Sequence, residues 1–247
     1  MTIIDEKVMN AITQTASTQR CNLCGVTVKD FNKLNYCLSK QIIDEQRLLL
    51  GLSSLHCWIR FYEWMLNISY KRKICKWQAS GREDKSKVEL EKKRVQHEFK
   101  NKLGILVDQP KHGYGNTNDG NSARRFFSNY QTSAEITGIS KNLIYRLWII
   151  LITISCGFAI NTEKFKMYAL KTVVLYLKWY PWYNMPTTIH RILIYGHIII
   201  QNAVVPIGLL SEEAQERKNK DIKRYRQDFT RKFSRKQTME DLFHQLI

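Results

Sequence analysis

Apolar positions recur at helical spacing along most of this chain. Between residues 28 and 67, Leu48, Leu49, Leu52, Leu55, Trp58, Ile59, Tyr62 and Met65 make one apolar face, which predicts a helix. Residues 83–102 carry charge on nearly every turn and predict a mostly solvated helix. Residues 132–180 are helical in pattern and strongly apolar, through Ile144, Leu147, Trp148, Leu151 and Ile154, then Phe165, Tyr168, Leu170, Val173, Leu177 and Tyr180. Pro181 and Pro186 end that stretch, because proline lacks an amide donor and pushes the residue before it out of the helical region. A new helix is expected from Thr187 or Thr188, carrying His190, Tyr195 and His197. A last one opens at Ser211, whose hydroxyl suits an N-cap and is followed by Glu212 and Glu213. Its apolar stripe is Ile222, Tyr225 and Phe229. The one strand expected is short, Thr2-Ile3-Ile4, running into Asp5. The fold class is therefore mainly α.

Charge narrows the partners. The 247 residues hold 39 Lys and Arg against 22 Asp and Glu, a formal charge of +17, with 44% apolar and 11% aromatic residues. That is enough apolar content for a core and enough positive charge for a polyanion, nucleic acid first and anionic membrane second. The apolar run 147–160 is 14 residues, short of the roughly 20 that span a bilayer. The longer run 192–210 is broken by His197, Gln201, Asn202 and Pro206, so both read as buried helices. Residues 1–12 lack a basic stretch followed by an apolar one, so no secretory signal is expected. Six cysteines at irregular spacing point to a reducing compartment, free thiols and one metal site. The glycosylation pattern at Asn67-Ile68-Ser69 carries no weight there.

Candidate chemistry sits in four places. Cys21-Asn22-Leu23-Cys24-Gly25 is a CxxC turn that presents two sulfurs to one ion, with a redox pair as the alternative. A tetrahedral zinc would need two more ligands from elsewhere, and His190 is the candidate on the late helix. Residues 113–127 form a Gly- and Asn-rich loop turning into a helix, with Arg124 and Arg125 in its first turn; this is either a cradle for phosphate or a structural turn. From Arg217 to Lys236 there are ten Lys and Arg against Asp221 and Asp228. Glu216 lies off the apolar stripe there, on the face of Lys220 and Lys223, as a salt-bridge partner or as a metal-binding carboxylate. Asp5, at a strand's end, is the other acid placed for chemistry. His56 and Cys57, inside an apolar face, read as a satisfied core pair.

The order Asp5, CNLC, LHCW, KWQA, NDGNSARR, a late histidine helix and ERKNK on a basic helix resembles the Transib transposases. It also resembles their relative, the catalytic subunit of the V(D)J recombination-activating recombinase. The resemblance runs over essentially the whole chain and is strongest at 113–127 and 209–246. It implies a DDE recombinase: a helical zinc-containing insertion domain attached to the C-terminal part of an RNase H-like catalytic domain whose earlier strands are not in this chain. Residues 1–20 would be the last strand and linker of that core, and 21–110 the zinc-containing helical region. Residues 111–208 would continue the insertion, and 209–247 would carry the catalytic glutamate.

On that resemblance Asp5 matches the second catalytic aspartate and Glu216 the glutamate, with Glu213 as second choice. The two would hold catalytic Mg2+ or Mn2+, and Cys21, Cys24, His190 and His197 a structural Zn2+. The family's histidine spacing, HxxxxH, lands on Tyr195 when counted from His190; His197 lies farther along. Asn121, Arg124, Arg125, Lys220, Lys223, Arg224 and Arg231 would contact DNA. The family works as a homodimer on transposon ends in the nucleus, with no membrane partner. Its reaction is divalent-metal-dependent strand cleavage and transfer. The chain starts at the second of three carboxylates, so turnover by the chain alone is expected to be lost. The competing class is a non-catalytic, zinc-containing DNA-binding protein of transposon origin.

Overall fold

The structure is a computed structural model that describes residues 12–15, 17–49, 52–111, 115–209 and 213–246. The strand expected before Asp5, and Asp5 itself, lie outside the described residues. What is described is mainly helical. Its strands are the short antiparallel pair β1 (Pro110–Lys111) and β2 (Gly115–Asn116). The chain divides into two compact units, Met1–Leu210 and Ser211–Ile247.

The first unit is built around α2 (Ser54–Lys71). Ser53 starts it by accepting the His56 amide on its hydroxyl. Leu55, Trp58, Phe61, Tyr62, Trp64, Met65, Leu66 and Ile68 are all buried, so the helix is apolar on nearly every side and has neighbours on nearly every side. It packs against α3 (Gly81–Leu103), α4 (Gly120–Ser128), α5 (Tyr130–Thr137), α6 (Lys141–Ser155) and α8 (Thr187–Gln201). Aromatic rings fill these seams, with Tyr62 against Phe126 at 5.1 Å and Trp64 against Tyr176 of α7 (Thr162–Trp179) at 4.7 Å.

The helix expected over 28–67 is broken. Its described parts are a 3₁₀ turn at Val28–Asp30, α1 (Leu34–Leu38), another 3₁₀ turn at Glu45–Leu49, and then α2. The Ile43 amide bonds the Leu23 carbonyl at 2.8 Å, and Arg47 bonds the Asn22 carbonyl at 2.7 Å. The segment between α1 and α2 is spent wrapping the CxxC turn, and these tertiary bonds override its helical periodicity.

The solvated helix is as its pattern predicts. On α3, Val95 and Phe99 are buried, while Glu83–Lys87, Glu89–Lys93 and Glu98–Lys102 pair along the outside at i,i+4. Residues 132–180 are helical with two interruptions, at Gly138 (φ +66°) and before Asn161, whose side chain caps α7 through the Lys164 amide. The proline stop and the restart at Thr187 fall where the sequence predicts. No helix among the described residues is long and apolar enough to cross a membrane.

The second unit pairs α9 (Glu213–Asp228) with α10 (Arg235–Leu246). Ser211, the expected cap, lies outside the described residues. The stripe expected to pack on a core is only partly covered: Ile222 and Tyr225 are half-buried, but Phe229 is 53% exposed.

Candidate metal centre

The CxxC turn has a fixed local shape. The Cys21 amide bonds the Val26 carbonyl at 2.9 Å, and the Gly25 amide bonds the Cys21 carbonyl at 2.8 Å. Gly25 sits at φ +70°, a left-handed conformation that a side chain would strain. Arg20 and Thr27 close the base as an antiparallel bridge. This folding aims peptide N–H groups at sulfur, those of Leu23 and Cys24 toward Cys21 and that of Val26 toward Cys24.

His190 arrives from α8, 166 positions later. Several bonds hold α8 against the turn. The Thr187 hydroxyl donates to the Thr18 carbonyl at 2.7 Å. Asn32 donates to the Tyr183 carbonyl at 2.8 Å and accepts the Met185 amide at 3.2 Å. Phe31 stacks on the His190 ring at 4.0 Å with 7° between planes. The ring is fully buried, and its Nε2 lies 3.5 Å from the Cys24 sulfur.

Cys21, Cys24 and His190 thus form one buried group whose ligand atoms all lie within 4.8 Å of one another. The group could bind a metal, and two thiolates with an imidazole are a donor set compatible with zinc. Its electrostatics fit a cation. The Cys24 thiol is pulled well below the usual range, chiefly by a hydrogen bond from Cys21, against the opposing effect of burial and with help from His190, Tyr195 and the Val26 amide. Cys21 is pushed up, by that same shared bond and by burial. The pair therefore gives up one proton readily and holds the second. A second buried thiolate is costly until a positive ion offsets it.

His197 lies outside this group. Seven residues along a helix is about 10 Å of rise, too far for two imidazoles to share one ion with the CxxC turn. It is half-buried on α8, its imidazole pushed down by burial and by Lys166. Tyr195 takes the neighbouring place instead. Its hydroxyl is hydrogen-bonded to Cys24 and lies 3.2 Å from the Cys37 carbonyl, and its ring meets His190 edge-on at 5.6 Å. Counting five residues from His190 finds Tyr195 in the sequence, but nothing there shows that a phenol reaches the sulfurs. Phe31 has no such signal at all.

The expected DNA-contacting residues fall in both units. Asn121 is exposed on α4. Arg124 lies over the Trp58 ring at 5.7 Å, and Arg125 donates to the Leu103 and Gly104 carbonyls at the end of α3. The two arginines therefore tie α4 to its neighbours in the fold. Of the expected core pair, Cys57 is buried, while His56 is half-buried and bonds Ser53 at 2.8 Å. In the second unit Lys223 and Arg224 are exposed on α9. Arg231 is held by Asp241, which receives both its backbone amide at 2.7 Å and its guanidinium at 2.8 Å. Glu213, Glu216 and Lys220 lie on α9, and their side chains are outside the described residues. No family model matches the chain, and no curated protein matches it.

Proposed function

We propose that this chain belongs with the DDE-type transposases and recombinases, which act on DNA by divalent-metal-dependent strand cleavage and transfer. The observation that carries the reading is the Cys21, Cys24 and His190 group. These are three of the four residues that the Transib resemblance implies as zinc ligands, and they meet although Cys24 and His190 are 166 positions apart. The positive charge of α9 and its flanks supplies the second support, since a polyanion is the partner such a surface attracts. Zinc on Cys21, Cys24 and His190 would be structural, pinning the CxxC turn to α8 with no part in the reaction. Asp5 and Glu216 would hold the catalytic ions. Glu213 stands second for the latter role.

The test is where a metal binds outside the cysteine group. Fe2+ in place of Mg2+, with ascorbate and peroxide, cuts the backbone beside its ligands. Cleavage is expected near residue 5 and near residue 216, suppressed by added Mg2+ and absent in Glu216→Gln. Cleavage at neither segment, or cleavage that Glu216→Gln leaves unchanged, would remove the catalytic reading and leave a DNA-binding protein with a zinc site.

A further inference from the structure

Residues 156–161 join α6 to α7, and beside this connection the two helices part around a cavity of about 320 Å³. Packed helices leave few voids larger than a water molecule, so a hollow of this size is a feature of the seam. Ile149 and Ile150 of α6, Ile160 of the connection and Phe165 of α7 form its apolar wall. Three polar side chains of the wall are spent within the protein. The Thr153 hydroxyl donates to the Ile149 carbonyl at 2.7 Å, and the Asn161 carboxamide oxygen accepts the Lys164 amide at 2.9 Å. The Cys156 thiol donates to the Phe158 carbonyl at 3.7 Å. Lys164 is the one charged residue of the wall, and it has no ion-pair partner among the described residues. A lysine on apolar surface lays its methylenes along it and keeps its ammonium in water, and Lys164 is exposed as this requires.

We propose that this cavity binds a medium-chain carboxylate, its hydrocarbon tail between α6 and α7 and its head group against Lys164. Small-molecule pockets run from about 300 to 1,000 Å³, with mostly apolar walls and a few polar groups that fix orientation, and this one sits at the small end. Burial of the tail supplies most of the affinity. The lone cation sets the sign of the head group, since a cationic amphiphile would meet a like charge at the mouth. The site is separate from the metal group and from the basic helix α9, and the inference does not depend on the proposed action on DNA.

The experiment follows alkylation of the free thiols in the full chain, read peptide by peptide by mass spectrometry, with decanoate or 1-decanol present. Cys156 is half-buried in the cavity wall, and Cys75 is exposed elsewhere. Decanoate should slow alkylation of Cys156 and leave Cys75 unchanged. Half-protection should need about two- to fivefold more 1-decanol than decanoate, the worth of an exposed ion pair. Lys164→Met, at an exposed position, should remove that difference by weakening decanoate alone. Ala159→Trp, also at an exposed wall position, should fill the cavity and abolish protection by either compound. No protection of Cys156, or equal protection of Cys75, would overturn the site. Equal protection by the two compounds, or a decanoate preference that Lys164→Met leaves intact, would overturn the carboxylate assignment. Protection that rises with protein concentration alone would give the cavity to a second copy of the chain and overturn it as well.

Discussion

Replacing Cys21 by Ser tests whether a metal on Cys21, Cys24 and His190 helps to hold the first unit together. An ion shared by Cys24 and His190 would tie two points 166 residues apart, and so would close a very long loop of the unfolded chain. Loop-closure entropy for that length has a ceiling of about 5 kcal/mol, and cross-links commonly deliver about 2–4 kcal/mol of it. Mass action agrees, since a ligand present at a hundred times its dissociation constant stabilises by about 2.7 kcal/mol. The serine itself also costs about 1–2 kcal/mol, because a buried hydroxyl replaces a polarisable sulfur. The two effects separate in a urea titration run with and without a chelator. Unmodified protein should lose about 2–4 kcal/mol on chelation, a midpoint shift of roughly 1–2 M. Cys21→Ser should start lower and respond to the chelator much less. Identical chelator responses in the two proteins, or none in the unmodified one, would refute the idea that these side chains hold a metal.

Three further outcomes follow from the packing. Glu91 is 2% exposed and sits between Lys73 at 2.6 Å and Arg94 at 2.5 Å; burial pushes its carboxyl up, but the bonds to Arg94 and Lys73 outweigh it and hold it below the usual range. A carboxyl with a lowered folded value stabilises above its unfolded pKa and loses that stabilisation as pH falls through the folded value. Glu91→Gln should therefore cost about 1–3 kcal/mol at neutral pH and flatten the decline in stability in the acid range, as read by thermal melts from pH 7 down to pH 3. Gly138→Ala would place a side chain at φ +66° against the Arg72 guanidinium, and a loss of about 1–2 kcal/mol in chemical denaturation is expected. Trp64→Ala would empty the seam between Phe61 and Tyr176 and should cost about 3–5 kcal/mol by the same measure.

Much of the helical framework was legible because its signals are local. Pro181 and Pro186 punctuate the chain, and the i,i+4 charge pairs mark the wet side of α3, whereas the cap at Asn161 interrupts a stretch that reads as continuous. The failure between residues 28 and 54 has a nonlocal cause. Ile43 and Arg47 look like helix residues until the backbone of Asn22 and Leu23 is placed beside them. The metal group divides in the same way. Cys21 and Cys24 announce themselves by spacing, but the choice of His190 over His197 depends on which turn of α8 faces the CxxC loop. Thr187, Asn32 and Phe31 settle that register through contacts with no sequence signature. The arginines of α4 show the converse, since a pattern suited to phosphate can equally bind carbonyls and a ring at home.

The most direct measurement is the metal content of the purified chain by inductively coupled plasma mass spectrometry, beside that of Cys21→Ser and His190→Ala. One zinc per chain, lost in both variants, is the predicted result. Folded protein that carries no zinc, or zinc that both variants retain, would contradict it.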